Sequence, residues 1–229
     1  MPAEHRHILG LFEKALHQLK LDVTSMAAIA VKNVTNAIRG MIDRNDDLCN
    51  RAIADDTEVD SLETKIDREG MEIIMKFSPV AADLRRVIST MKVSSSLERV
   101  SDHAVSIAKR GRQLNSGDAL QETHLLDPLI TLALASLNHA VKAFNEDDLP
   151  SSLKIADGDP ELETAHRGLA QTLTKRMEED PAHLKHYVEL MFVTRFIVRI
   201  GDQASNIAED AVYCISAYDI RHGGARPQT

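Results

Sequence analysis

The chain has no tryptophan, and aromatic residues make up only 3% of its 229 positions, so a sandwich or barrel built on aromatic strands is not expected. Glycine (10) and proline (7) are sparse, which argues against an architecture of many tight turns. The two cysteines, Cys49 and Cys214, stand far apart and form no Cys-x-x-Cys pair. They indicate neither a disulfide framework nor a cysteine zinc site, and they read as small buried hydrophobes. No apolar run approaches the roughly 18 residues of a membrane span. The first ten residues also lack the charged-then-apolar order of a signal peptide, so the sequence reads as cytoplasmic. Positive charge is in deficit as well: 27 Lys and Arg against 35 Asp and Glu give a net charge of −8, and a nucleic-acid-binding surface is not expected. The deficit is one-sided. Residues 1–113 balance 17 bases against 17 acids, whereas residues 114–229 hold 10 against 18.

What the chain does have is apolar residues at helical spacing. At 43% apolar and 27% charged, it has the composition of a soluble globular protein. Leu9, Phe12, Leu16, Leu19, Val23, Met26 and Ile29 recur every three or four positions and predict a first helix from about Ala3 to Arg44. Asn45-Asp46-Asp47 stops it and caps a second helix that runs to about Phe77. Ser78-Pro79 reads as the cap and first position of a third, which ends near Gln113 before Asn115-Ser116-Gly117. The second half follows the same order: a helix near 125–145, the break Glu146-Asp147-Asp148, a helical region to about Glu179, and Asp180-Pro181 opening a last long helix. The expectation is an all-α protein of six long helices, each about 30 residues or roughly 45 Å, arranged as two tandem three-helix bundles. Residues 1–115 form the first bundle, 116–222 the second, and 223–229 a disordered tail.

The internal duplication is visible residue by residue. Leu97-Glu98-Arg99-Val100-Ser101-Asp102-His103-Ala104 returns 100 positions later as Ile197-Val198-Arg199-Ile200-Gly201-Asp202-Gln203-Ala204. Ile53-Ala54-Asp55 returns as Ile155-Ala156-Asp157, and Asp56, Glu58 and Asp60 pair with Asp159, Glu161 and Glu163.

Chemistry concentrates on the third helix. Projected at 100° per residue, Leu84, Val87, Met91, Asp102 and Val105 fall within about 40° of Glu98, so two carboxylates continue an apolar stripe. Val93, Leu97, Val100, Ala104 and Ile107 form an opposite arc, and the helix is expected to pack on both sides. On the second helix Asp56, Asp60, Glu63 and Asp67 form an acidic stripe. An antiparallel neighbour brings Asp56 and Asp60 opposite Glu98 and Asp102, an oxygen-rich set suited to a hard or borderline cation. Glu63 and Asp67 read as a solvated face. From spacing alone, a metal site and a structural reading with an Arg99–Asp102 salt bridge stand equal.

Pro79-Val80-Ala81-Ala82-Asp83-Leu84-Arg85, the segment 97–108 and its degenerate copy at 197–208 resemble the PhoU family of bacterial phosphate-signalling regulators, over nearly the whole chain. The resemblance implies two three-helix bundles, each with a pair of (Glu/Asp)-x-x-x-Asp motifs that bind divalent or trivalent metal ions (Fe, Zn, Mg, Mn or Ca), in mono- or multinuclear form. Asp56, Asp60, Glu98 and Asp102 match the first pair in full. The second pair, Asp159, Glu163 and Asp202, is degenerate, because Val198 replaces the acid and Arg195 opposes a cation. Asn206 and Glu209 share Asp202's face as substitute oxygen ligands, while Gly158 and Pro160 interrupt the fifth helix. The second site is therefore expected to bind metal more weakly than the first, or not at all.

The implied role is a cytoplasmic, non-enzymatic regulator of phosphate uptake and phosphate-responsive two-component signalling. It would contact a phosphate ABC transporter and a phosphate-sensing histidine kinase, form a homodimer, and meet the membrane only through its partners. Two alternatives are a carboxylate-bridged metal oxidase or storage bundle and a metal-independent helical adaptor. The first is weakened by having a single Glu-x-x-His, Glu163 to His166, where a di-iron bundle needs two. No phosphate-binding glycine loop, dinucleotide fingerprint, esterase elbow or zincin motif is present. His183 and His186 read as surface residues. The acid excess of the second half reads as solvated surface or a face for a basic partner.

Overall fold

The computed structural model describes residues 3–227, with side chains described for 10–221 and 223–227. Among the described residues seven α-helices follow one another, with a 3-10 helix (Gln121–Leu126) between the third and fourth: α1 (Ala3–Ile42), α2 (Asp46–Phe77), α3 (Ala81–Asn115), α4 (Asp127–Glu146), α5 (Leu149–Ala156), α6 (Pro160–Glu179) and α7 (Leu184–Ser216). Among the described residues there is no strand. The expected six helical columns are present, with the fifth broken into α5 and α6. Helices α1, α2 and α3 pack on one another, α4 to α6 pack on α7, and the two units meet along α3 and α7.

Local chemistry accounts for most of the breaks. Asn45 caps α2 as expected, its Oδ1 accepting from the amides of Asp47 (3.0 Å) and Leu48 (3.3 Å). The close crossing of α1 on α2 requires Gly40, where a Cβ would lie 2.5 Å from Cys49 Sγ and 2.8 Å from its backbone nitrogen. The same end is tied to α3 by Arg44, which donates to the carbonyls of Asn115 (2.6 Å) and Gly117 (2.5 Å).

Ser78-Pro79 behaves differently from the expectation. Proline disfavours the right-handed helical conformation at the residue before it. Ser78 instead turns left-handed (φ 45°) and closes α2 by donating its N–H to Ile74, while Val80 stands at the start of α3. In the second half, Gly158 (φ +80°) reverses the chain after α5, and Pro160 occupies the first turn of α6, so the predicted interruption is real. Asp180-Pro181 leads first into a 3-10 turn, Pro181–His183, and α7 begins at Leu184. His183 and His186 are both half-buried rather than surface residues, and His183 Nδ1 lies 2.7 Å from Asp180 and Nε2 3.4 Å from Asp118.

The core follows the helical periodicity. Val93, Leu97, Val100, Ala104 and Ile107 on one arc and Val87 on the other are at most 1% exposed, and α3 packs against α1, α2 and α7, which bears out packing on both sides. Cys49 and Cys214 are free and buried. The unit boundary is pinned by ion pairs from α3 to α7, Lys92 to Asp210 (3.3 Å) and Arg110 to Glu189. Of the tail predicted to be disordered, residues 228 and 229 lie outside the described residues. Over 223–227 it is anchored, because Gly224 N–H donates to Arg221 O (3.1 Å) and Arg226 pairs with Asp157. No helix is long and apolar enough to cross a membrane among the described residues.

Candidate metal centre

The α2–α3 hairpin sets the register of the site. Asp60 and Glu98 are each 19 residues from Pro79, Asp56 and Asp102 each 23, and Glu63 and Ser95 each 16, so these positions come level across the hairpin. Burial by α1 and by the rest of α3 then sorts them. Glu98, Asp56 and Glu63 are half-buried, while Asp60 and Asp102 are exposed.

Glu98 is the centre of the group. Its burial first, then the charges of Asp102, Glu63, Asp60 and Asp56, push its carboxyl from the usual 4.5 up to about 7. Asp56 is raised by burial and by Asp60 and Asp102, partly offset by the Ser101 hydroxyl, which donates to Oδ1 at 2.7 Å. Asn33 on α1 donates to Ser101 Oγ (3.0 Å) and is fully buried, so a hydrogen-bonded string from all three helices fixes the Asp56 carboxylate. Glu63 is raised by burial, partly offset by the nearby Ser95 hydroxyl, and raised further by Asp67 and Asp60. It belongs to the cluster and not to a solvated face. Asp67 is exposed, as expected. The Arg99–Asp102 salt bridge is not formed.

Five carboxylates therefore share one facet without an ion-pair partner among the described residues, and their mutual repulsion is what a cation would relieve. Hard oxygen donors from two helices fit Mg, Ca, Mn or Fe. Among the described residues, however, no three Asp, Glu, His or Cys side chains stand close enough to chelate an ion as they are oriented, so the carboxylates must swing inward to do so. Serine 101 and Asn33 were missed by periodicity, which sees apolar repeats and not the polar residues between them. Glu63 was visible in principle, one turn beyond Asp60 on the same stripe.

The second repeat does not assemble a counterpart. Asp159 caps α6, its Oδ1 accepting from the amides of Glu161 (2.9 Å) and Leu162 (3.2 Å). Glu163 points to solvent and pairs with Arg167 (3.5 Å). Asp202 instead borders an apolar groove of about 680 Å³ with Arg195, Val198 and Arg199, and neither Asp159 nor Glu163 lines it. Asn206 and Glu209 do not complete Asp202's set. They line a separate cleft with Lys92, Arg99 and Arg221, and Asn206 donates to Gln203 Oε1 (3.2 Å).

Comparison with known proteins agrees with this layout. The PhoU domain model matches twice, over residues 23–111 and 126–211. The phosphate-specific transport system accessory protein PhoU of Serratia marcescens is 30% identical over 220 residues, covering 96% of this chain and 90% of the relative. A homologue from Rhizobium meliloti (strain 1021) is 30% identical over 225 residues, covering 98% and 92%. Among solved structures, PhoU from Pseudomonas aeruginosa superposes with a TM-score of 0.86 at 27% identity, covering 90% of this chain and 99% of that one. The phosphate transport system regulatory protein PhoU from Streptococcus pneumoniae shares the fold, with a TM-score of 0.82 at 22% identity. With one PhoU domain in each three-helix unit, the chain belongs to the PhoU family.

Proposed function

We propose that this chain is a cytoplasmic regulator of phosphate uptake that binds metal through its first repeat. It acts by protein contact with a phosphate ABC transporter and a phosphate-sensing histidine kinase, as a homodimer. The relatives named as accessory proteins of a phosphate-specific transport system support the process. The observation that carries the metal reading is the half-buried Glu98, level with Asp60 across the hairpin and surrounded by Asp56, Asp60, Glu63 and Asp102, whose charges add to burial in raising its pKa. Asp56, Asp60, Glu98 and Asp102, with Glu63 beside them, would hold one or more divalent or trivalent ions. A bound ion supplies positive charge that neutralises the facet. The chain's own part is positional: Asn33 and Ser101 orient Asp56, and the hairpin register brings α2 and α3 acids level. No residue has a catalytic role in this reading, and the chain is not an enzyme.

The oxidase or storage alternative gains nothing from the second repeat, where Glu163 pairs with Arg167 and His166 lines the apolar groove. The test is elemental analysis of protein purified without added metal, paired with phosphate-regulated reporter expression in cells carrying Glu98→Ala and Asp102→Ala. Bound metal that is lost in the variants, together with a deregulated reporter, is the expected result. Absence of metal uptake on titration with Mn, Fe or Zn salts, with regulation intact, overturns the metal part and leaves the metal-independent adaptor.

A further inference from the structure

The α6–α7 groove occupies the same facet of the second repeat that the carboxylates occupy in the first, and its chemistry is exchanged position by position. Val198 stands where Glu98 does, His166 where Glu63 does, Ala170 where Asp67 does, and Arg195 where Ser95 does. Helix α6 packs less extensively on α7 than α2 does on α3, because only Leu162, Leu169 and Leu173 of α6 are buried, and the facet stays open.

One wall is a continuous stripe of α7. Val188, Phe192, Arg195, Arg199 and Asp202 repeat every three or four residues, with Met191 beside Phe192, over about 21 Å at 1.5 Å per residue. Val188 and Phe192 are 37% and 43% exposed. Phe192 is nonetheless held in place, because the Arg110 guanidinium sits 4.1 Å from its ring centroid and is itself paired with Glu189. Arg195 and Arg199, one turn apart and exposed, have no ion-pair partner among the described residues.

We infer that this groove docks an acidic amphipathic helix of a protein partner. The inference rests on the regulator reading above, since it supplies the contact surface through which such a regulator acts. The groove follows α7 for about 21 Å at 1.5 Å per residue and lies between two helices, which suits a helix laid along it with apolar residues at i, i+4, i+7 and i+11. Two unpaired arginines at the rim demand acidic flanks on the incoming helix. A flat anionic lipid surface matches the charge but not the concave shape.

The full chain is tested with two helical peptides of roughly 18 residues, long enough for about 21 Å of groove. Both carry leucine at those four positions, one with glutamate flanks and one with lysine flanks. The glutamate peptide is expected to bind the native protein and to shift the 13C-methyl signals of Met177 and Met191, which line the groove. Arg195→Glu with Arg199→Glu is expected to weaken it by at least about tenfold and to reverse the preference to the lysine peptide, while the double lysine variant stays within a few-fold of native. All four side-chain changes lie at exposed positions, and an unchanged Tm shows that the fold survives.

Equal binding of both peptides, or unmoved methionine signals, overturns the inference. So does arginine-dependent binding to phosphatidylglycerol vesicles without peptide binding, and so does a dimer that becomes a monomer in Phe192→Glu. In cells, intact phosphate control in the double glutamate variant sinks the groove alone. Intact control on deletion of the whole chain sinks the regulator reading, and peptide binding is judged separately from it.

Discussion

The two repeats bury the same kind of core and present opposite chemistry on one equivalent facet. Leu97 and Ile197, Val100 and Ile200, Ala104 and Ala204 are all at most 1% exposed. On the facet outside that core, Glu98 faces four carboxylates, whereas Val198 borders a groove with two arginines. Helix packing constrains only the positions that interdigitate, so a duplicated bundle keeps its core and leaves the outer facet free to change. The loss of the acidic set goes together with the broken column. Once Gly158 and Pro160 end the helix, Asp159 is taken up as a cap and is no longer a free carboxylate.

The comparison makes its largest demand on the core. Leu97→Ala and Ile197→Ala should each lose about 2–5 kcal/mol in urea denaturation, because both create cavities at fully buried sites. A large loss in one repeat with almost none in the other would break the claim that the cores are equivalent.

Metal affinity should separate the repeats. In Mn2+ titration calorimetry, Glu98→Ala or Asp102→Ala is expected to weaken binding by at least about tenfold, while Asp202→Ala changes it less than about twofold. Equal losses would erase the asymmetry.

The two cap-related positions sharpen it further. Asp159→Ala should cost about 1 kcal/mol of stability and Asp159→Asn only a few tenths, since asparagine also caps. Asp56→Asn at the matching position should instead reduce metal binding. If Asp159→Asn lowers Mn2+ affinity as much as Asp56→Asn, the capping assignment is insufficient.

The smallest effect is a pH dependence carried by Glu98 in the first repeat. Glu98 titrates near 4.5 in an unfolded chain and at about 7 in the fold, so the native state keeps a proton that the unfolded state releases. In metal-free protein this contribution to stability is complete below pH 4.5 and is lost as the pH rises through about 7. Glu98→Gln should flatten that decline in thermal melts, and added Mn2+ should reverse it. Melts of Glu98→Gln that fall as steeply as those of the native chain between these pH values would place the decline on Asp56, Glu63 or Asp210, which burial also raises.

Much of the fold could be read before any coordinates. Apolar spacing located the helices to within a few residues, and Asn45 and Gly158 acted as their chemistry predicts. The misplacements have physical causes. Ser78 was read as a cap for α3, but the conformational bias imposed by Pro79 made it the end of α2. Glu63 reads as solvated from its own helix, because its half-burial and its neighbours Asp60 and Ser95 come from packing and hairpin register.

Composition pointed the other way from the site. The acid excess lies in residues 114–229, yet the gathered carboxylates lie in the charge-balanced first half. In the second half the acids are distributed among caps and ion pairs, as with Asp159 at α6, Glu163 with Arg167 and Asp157 with Arg226.

The sequence by itself determined the helical class, the duplication and the pairing of acids along α2 and α3, because helical periodicity and hairpin symmetry are properties of spacing. Only the tertiary structure decided which acids are buried together, which are consumed as caps, and that the second repeat opens into a groove. Those outcomes depend on distance and solvent exclusion across helices, and neither quantity is written in the order of residues along one of them.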